Sequence, residues 1–316
     1  MQFRTQIPIP KSSYPIDYNS KVVSLGSCFA ENMASKLQYF QFQNFCNPFG
    51  IIFNPVSIEK LASRVVANKY FTDEDVFFYN ERWHCFEIHS DLSSTDKVAF
   101  LECINQLVDS TKEYVMQASH IIITLGTAWV YRCNASNEIV ANCHKVPQKE
   151  FTKELLSIAT IQETISNTIR LIQSINPSSC FIFSISPVRH SKDGFVQNQL
   201  GKSHLISALQ AVLDSKDQNL IYFPSYEIMM DELRDYRFYN EDMLHPSTVA
   251  IDYIWERFVQ TTIADEVNET MKEVATIQRS LQHRSFNPQS ESHQKFEANL
   301  QSKISKITSL YSHMKF

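Results

Sequence analysis

The chain has 316 residues, enough for one large α/β domain or two smaller ones. Hydrophobic residues at 43% and aromatics at 12% supply a sizeable core and argue against global disorder. The formal charge of −5, with no long basic block, argues against nucleic-acid binding through a broad positive face. The 7 cysteines are scattered without a CxxC pair. The first eight residues lack the apolar core of a signal peptide, and no run approaches a membrane span. The expected setting is therefore the reducing cytoplasm, with no membrane partner.

In chain order, the first predicted element is a buried strand over 22–25. It ends in Gly26, and Ser27 and Cys28 lead into a helical segment over 29–40. A strand, a tight turn and a helix start present backbone N–H groups and the positive end of the helix dipole to an anion. Acyl-transfer chemistry places its nucleophile in such a setting, and either Ser27 or Cys28 can fill that role. Asn47-Pro48-Phe49-Gly50 reads as a turn, and residues 76–88 read as a hairpin-like insertion. A second strand over 121–125 runs into Gly126-Thr127-Ala128-Trp129. A second hairpin follows over 129–143, with Asn142-Cys143-His144-Lys145 at its exit. Residues 152–175 carry Leu155, Ile158, Ile161, Ile165, Ile169 and Ile172 at helical spacing. The third strand, 181–185, delivers Ser186-Pro187-Val188-Arg189-His190 to the same carboxyl edge as Cys28. A helix over 200–213, a strand over 220–223 and a helix over 248–259 complete the pattern. Strands alternating with helices imply a doubly wound parallel sheet, with ligands at the carboxyl ends of the strands. After Ala264 the chain turns polar, with helices over 266–282 and 293–311 broken at Asn287-Pro288. The expected division is a domain over 1–264 and a helical extension over 265–316.

Asp242-Met243-Leu244-His245 is the second chemical feature. Pro246 suits the first position of a helix, so His245 stands at that helix's start. A carboxylate three residues earlier can fold back and hold the imidazole by Nδ1. Nε2 is then left as general base for a nucleophile from elsewhere in the chain. A plain surface histidine is the competing reading, and the Gly26-Ser27-Cys28 turn favours catalysis. Arg189 and His190 are candidates to bind a substrate carboxylate or phosphate, and His144 a candidate to line the pocket. For these three, solvated loop residues are the alternative. His84, Cys85 and His89 lack the spacing of a closed zinc site, and no phosphate loop or dinucleotide fingerprint is present, so neither metal nor cofactor is expected.

Gly26-Ser27-Cys28-Phe29-Ala30 is the signature for which the GSCFA family is named. The wider order of motifs resembles the SGNH, or GDSL-type, hydrolase superfamily over residues 3–260. That resemblance implies a flavodoxin-like parallel sheet sandwiched by helices, here with a helical C-terminal extension. It further implies an ester-directed hydrolase or acyltransferase acting on a small-molecule or carbohydrate ester. Aligned on the glycine, Cys28 takes the nucleophile's place; a slide of one residue gives it to Ser27. Asp242 and His245 match the late block. The oxyanion donors implied are the nucleophile's own N–H and Gly50. A third position, usually asparagine, is Ala128 here, so Thr127, Asn47 or Asn54 must substitute; Asn47 is also placed among the substrate-binding candidates. A thiol at a helix N-terminus beside an imidazole is expected to have a lowered pKa. A non-catalytic carbohydrate- or partner-binding protein on the same fold is the alternative. A thiol redox role is opposed by the lack of a nearby resolving cysteine.

Overall fold

The computed structural model describes residues 5–190, 192, 194–214, 219–283, 286, 287 and 289–316. In chain order, β1 (Lys21–Gly26) leads through α1 (Cys28–Tyr39) to β2 (Gln43–Cys46). Then come α2 (Pro55–Ala67), a hairpin of β3 (Phe77–Tyr79) and β4 (Arg82–His84), α3 (Lys97–Gln117) and β5 (His120–Leu125). A second antiparallel sheet holds β6 (Trp129–Cys133), β7 (Ile139–Val140) and β8 (Phe151–Leu155). It is followed by α4 (Ile158–Ile175), β9 (Cys180–Ile185), α5 (Phe195–Leu213) and β10 (Leu220–Tyr222). A short α6 (Ser225–Glu227), then α7 (Thr248–Thr262), α8 (Asn268–Gln282) and α9 (Glu291–Leu310) finish the chain.

The central sheet is parallel throughout, in the order β10-β9-β5-β1-β2. All six residues of β5 and of β9 are buried, as central strands covered on both faces must be. Alternate side chains divide between two cores. Val23, Ile121, Ile123, Phe181 and Phe183 face α2, α3, α4 and α5. Val22, Ile122 and Ile182 face α1, α7, α8 and α9. From β1 the chain passes to β2 on one side and, after α2 and α3, to β5 on the other. The gap between the carboxyl ends of β1 and β5 is thus the switch point, where open α/β sheets bind ligands. Among the described residues, no helix is long and apolar enough to cross a membrane.

The fold departs from the sequence reading at four places. Helices α2 and α3 fill stretches to which the reading assigned no element. The central sheet has a fifth strand, β2, an edge strand whose Gln43 and Asn44 hide it among polar residues. Residues 151–155 pair with β6, so the helix expected from 152 begins only at Ile158. Ser157 sets that start by accepting the Thr160 N–H at 3.0 Å. Helix α5 begins at Phe195 rather than 200. The break between α8 and α9 falls where expected, with Pro288 itself outside the described residues.

Candidate active site

The turn after β1 is fixed by backbone geometry. Gly26 has φ +135°, and a Cβ there would run into the carbonyl oxygen of Thr124 on β5. Its N–H donates to Asn47 Oδ1 at 2.8 Å, and the Ser27 N–H donates to Thr124 O at 3.1 Å. Ser27 caps α1: its Oγ accepts the Phe29 N–H at 3.3 Å, and the residue is 2% exposed. Cys28 is the first residue of α1 and is half-buried. Burial, and then the nearby Glu31 carboxylate, push its thiol above the ordinary range. The N–H groups of Phe29 and Cys28 and the Lys202 cation pull the other way without prevailing. This corrects the expectation of a lowered pKa: desolvation outweighs the helix start.

Asp242 and His245 are joined. Asp242 Oδ2 meets His245 Nδ1 at 2.6 Å, while Oδ1 accepts the N–H groups of Leu244 at 2.8 Å and His245 at 3.0 Å. The His245 N–H, then the imidazole and the Leu244 N–H, hold the Asp242 carboxyl down at about 2. Met243 takes a left-handed conformation, φ 58°, to close this loop. Ser247 then caps α7 by accepting the Ala250 N–H at 3.4 Å. Helices α1 and α7 run side by side in the same sense, tied by the Lys36–Asp252 ion pair and by Phe40 stacked on Trp255. Counting back equally from Lys36 and Asp252 reaches Cys28 on α1 and the residues beside His245 ahead of α7. Both motifs therefore lie at the carboxyl edge of the sheet. Among the described residues, no hydrogen bond joins His245 Nε2 to Cys28 or Ser27.

The oxyanion candidates divide. The Gly50 N–H is already committed to Asn47 O at 2.8 Å, so Gly50 is not the open donor expected. Its φ of +78° and the His89 side chain against it mark a turn glycine. Asn47 is also taken up, with its Oδ1 on Gly26 and its Nδ2 donating to Glu31 Oε1 at 3.2 Å. It shapes the turn rather than facing a substrate. Asn54 caps α2 through Ser57. Ala128 is fully buried in the core. Thr127 is buried beside α5; its Oγ1 accepts the Trp129 N–H at 3.1 Å and keeps a proton to donate.

His144 belongs to the hairpin layer instead. Its Nε2 meets Cys85 O at 2.7 Å and its ring packs on His84 at 4.7 Å. Burial, and then its neighbours His84 and His89, bring it down to about 4. Among the described residues, no hydrogen bond or ring contact joins it to Cys28, Arg189 or His245. Arg189 does reach the site: its N–H donates to Leu244 O at 3.1 Å, which ties the loop after β9 to the Asp242–His245 loop. The His190 N–H donates to Asn198 Oδ1 at 2.8 Å, and its ring lies 5.5 Å from that of Phe53.

Sequence reasoning missed Lys202. It is 1% exposed, and Nζ donates to Gly126 O at 2.6 Å and Ser186 O at 2.7 Å. These carbonyls follow β5 and β9, so the amine clamps the carboxyl ends of two central strands. Burial, and then Arg189, pull it down to about 7, while Cys28 pushes it back up. The signal was present: Asn198, Lys202, Leu205, Leu209 and Val212 form one helical stripe, and all five are buried.

The family model described as "GSCFA family" matches residues 21–258, and that described as "GSCFA domain protein, C-terminal domain" matches residues 274–316. No curated protein matches the chain. Among solved structures, a family two carbohydrate esterase from Clostridium thermocellum, in complex with cellohexaose, is similar at 12% identity with a TM-score of 0.36. That match covers 85% of this chain and 67% of the other.

Proposed function

The chain belongs to the GSCFA family, and from that premise we propose that it is an ester hydrolase or acyltransferase working through Cys28, His245 and Asp242. The observation that carries this reading is the Asp242–His245 pair. A carboxylate on Nδ1 fixes the tautomer whose Nε2 can take a proton. In the proposed cycle, Cys28 Sγ attacks the ester carbonyl carbon as its proton passes to Nε2. The bond from that carbon to the alcohol oxygen breaks, and the alcohol leaves with the proton. Water, or a second alcohol, then attacks the thioester; its proton passes to Nε2 and returns to Sγ. Burial and Glu31 keep the resting thiol protonated, so attack is coupled to proton removal. The hydrogen bond from Sγ to Nε2 that this step needs is of a kind that often tightens only in the substrate complex. The Cys28 N–H and the Thr127 hydroxyl are the proposed oxyanion donors. The free thiol suits a reducing compartment such as the cytoplasm.

A non-catalytic binding protein is the second reading, favoured by Ala128 in the place of the superfamily's asparagine. A panel of short-chain aryl esters separates the two. The parent should turn over, and Cys28→Ala and His245→Ala should each lose at least about a hundredfold in kcat. A dead Ser27→Ala beside an active Cys28→Ala would move the nucleophile to Ser27. A parent inert on the whole panel would favour binding.

A further inference from the structure

Beside the Asp242–His245 loop lies a cleft of about 240 Å³, lined by residues that include Arg189, Met230, Tyr236, Tyr239, Met243 and Phe195. For scale, a cavity of roughly 150 Å³ accepts benzene. Three of these side chains are large and exposed: Phe195 at 71%, Tyr236 at 74% and Met243 at 52%. Such apolar surface at a cleft mouth is a mark of a binding site. Arg189 is the cation inside it. The guanidinium meets only soft or neutral partners among the described residues, Met230 Sδ at 3.6 Å and the Tyr239 hydroxyl, and no carboxylate pairs with it. Its Nε is buried without a partner. The other charges lining the cleft are satisfied: Arg234 pairs with Asp231, and Asp235 with Arg237.

We propose that this cleft binds a carboxylate on the substrate, so that the preferred esters are acidic ones whose carboxylate sits on a compact ring. The proposal rests on the ester-cleaving reading above. A guanidinium meets a carboxylate through a planar pair of hydrogen bonds. The Tyr239 O–H, accepting from Arg189, keeps its own proton for the same anion. Tyr236 and Phe195 offer flat faces to the ring. Behind the Arg189 loop the buried Lys202 amine donates to Ser186 O, three residues before Arg189.

The test uses a matched pair of esters, 4-acetoxybenzoate and its methyl ester. With water each gives acetate and the corresponding phenol. For the full chain, kcat/KM should be at least about tenfold higher on the acid. Arg189→Gln should bring that ratio close to one, and Arg189→Lys should restore part of it. Met243→Asp, which puts a carboxylate at the mouth on an exposed side chain, should also depress the ratio without touching Arg189. Equal kcat/KM on the two esters in the parent, or a ratio unchanged in Arg189→Gln and Met243→Asp, would overturn the proposal and leave the ester-cleaving reading intact. If the parent cleaves neither ester, that reading fails, and calorimetric titration of 4-hydroxybenzoate decides the cleft. Binding weakened at least about tenfold in Arg189→Gln supports it. No binding at millimolar concentration, or equal binding by the variant, overturns it.

Discussion

Lys202 is the residue whose chemistry most depends on its surroundings. An amine in water titrates near 10.5; this one is held at about 7 by burial and by Arg189. Between those two values the unfolded chain binds a proton that the folded chain lacks, so stability rises with pH across that window. Below about 7 both states are protonated and the slope vanishes. Lys202→Met removes this linkage and leaves two buried carbonyls, Gly126 O and Ser186 O, without their donor. The variant is expected to be less stable than the parent. The gap should widen by roughly 1 kcal/mol per pH unit between about pH 7.5 and about pH 9. Urea unfolding of parent and variant at those two pH values measures it. A gap independent of pH would mean that the amine is charged throughout, as an ordinary lysine is.

At the scale of the element, the turn from β1 into α1 is held by parts that any change would disturb. Alanine at Gly26 meets the Thr124 carbonyl and must hold a φ of +135°. Gly26→Ala is therefore expected to cost about 3 kcal/mol or more in unfolding free energy, read by denaturant titration. A loss under about 1 kcal/mol would show that the turn can relax. This element was legible in the sequence because an apolar run ends at one glycine just before a helical segment, although the capping role of Ser27 emerged only from the structure. The strands β5 and β9 were legible for a related reason, since burial on both faces leaves an unbroken apolar run. The edge strand β2 was not: it pairs only with β1, and its four residues are all partly exposed. Residues 151–155 misled because Leu155 extends the isoleucine stripe of α4 backward, while the partner strand that claims them lies some twenty residues upstream. The Asp242–His245 pair could be read from spacing, as both partners share one loop. The fate of the Gly50 N–H could not, because it depends on how Asn47 turns.

At the scale of the whole molecule, the C-terminal helices share a core with the sheet. Met271, Val274 and Ile277 of α8 and Leu300 and Ile307 of α9 are buried with Phe29 and Leu37 of α1 and with Trp255 and Phe258 of α7. Tyr18, which precedes β1, lies between Phe42 and Tyr311, with ring centroids 4.5 Å and 4.9 Å away. Gln278 Nε2 donates to Tyr39 O at 3.2 Å, so α8 also covers the end of α1. Residues 265–316 are proposed as an extension of the 1–264 domain, and the extension is a covering layer for the very helix that begins at Cys28. Each buried aliphatic side chain contributes about 2 kcal/mol, so the five named above represent about 10 kcal/mol as an upper figure. That is comparable to the entire net stability of a typical domain. A chain ending at Ala264 is therefore expected to lose cooperative thermal unfolding, to bind a hydrophobic dye, and to lose any ester turnover with it. A truncated chain that melts cooperatively within a few degrees of the parent would show that α1 and α7 hold the carboxyl edge in place by themselves. The α8–α9 layer would then be free to serve some purpose other than supporting Cys28.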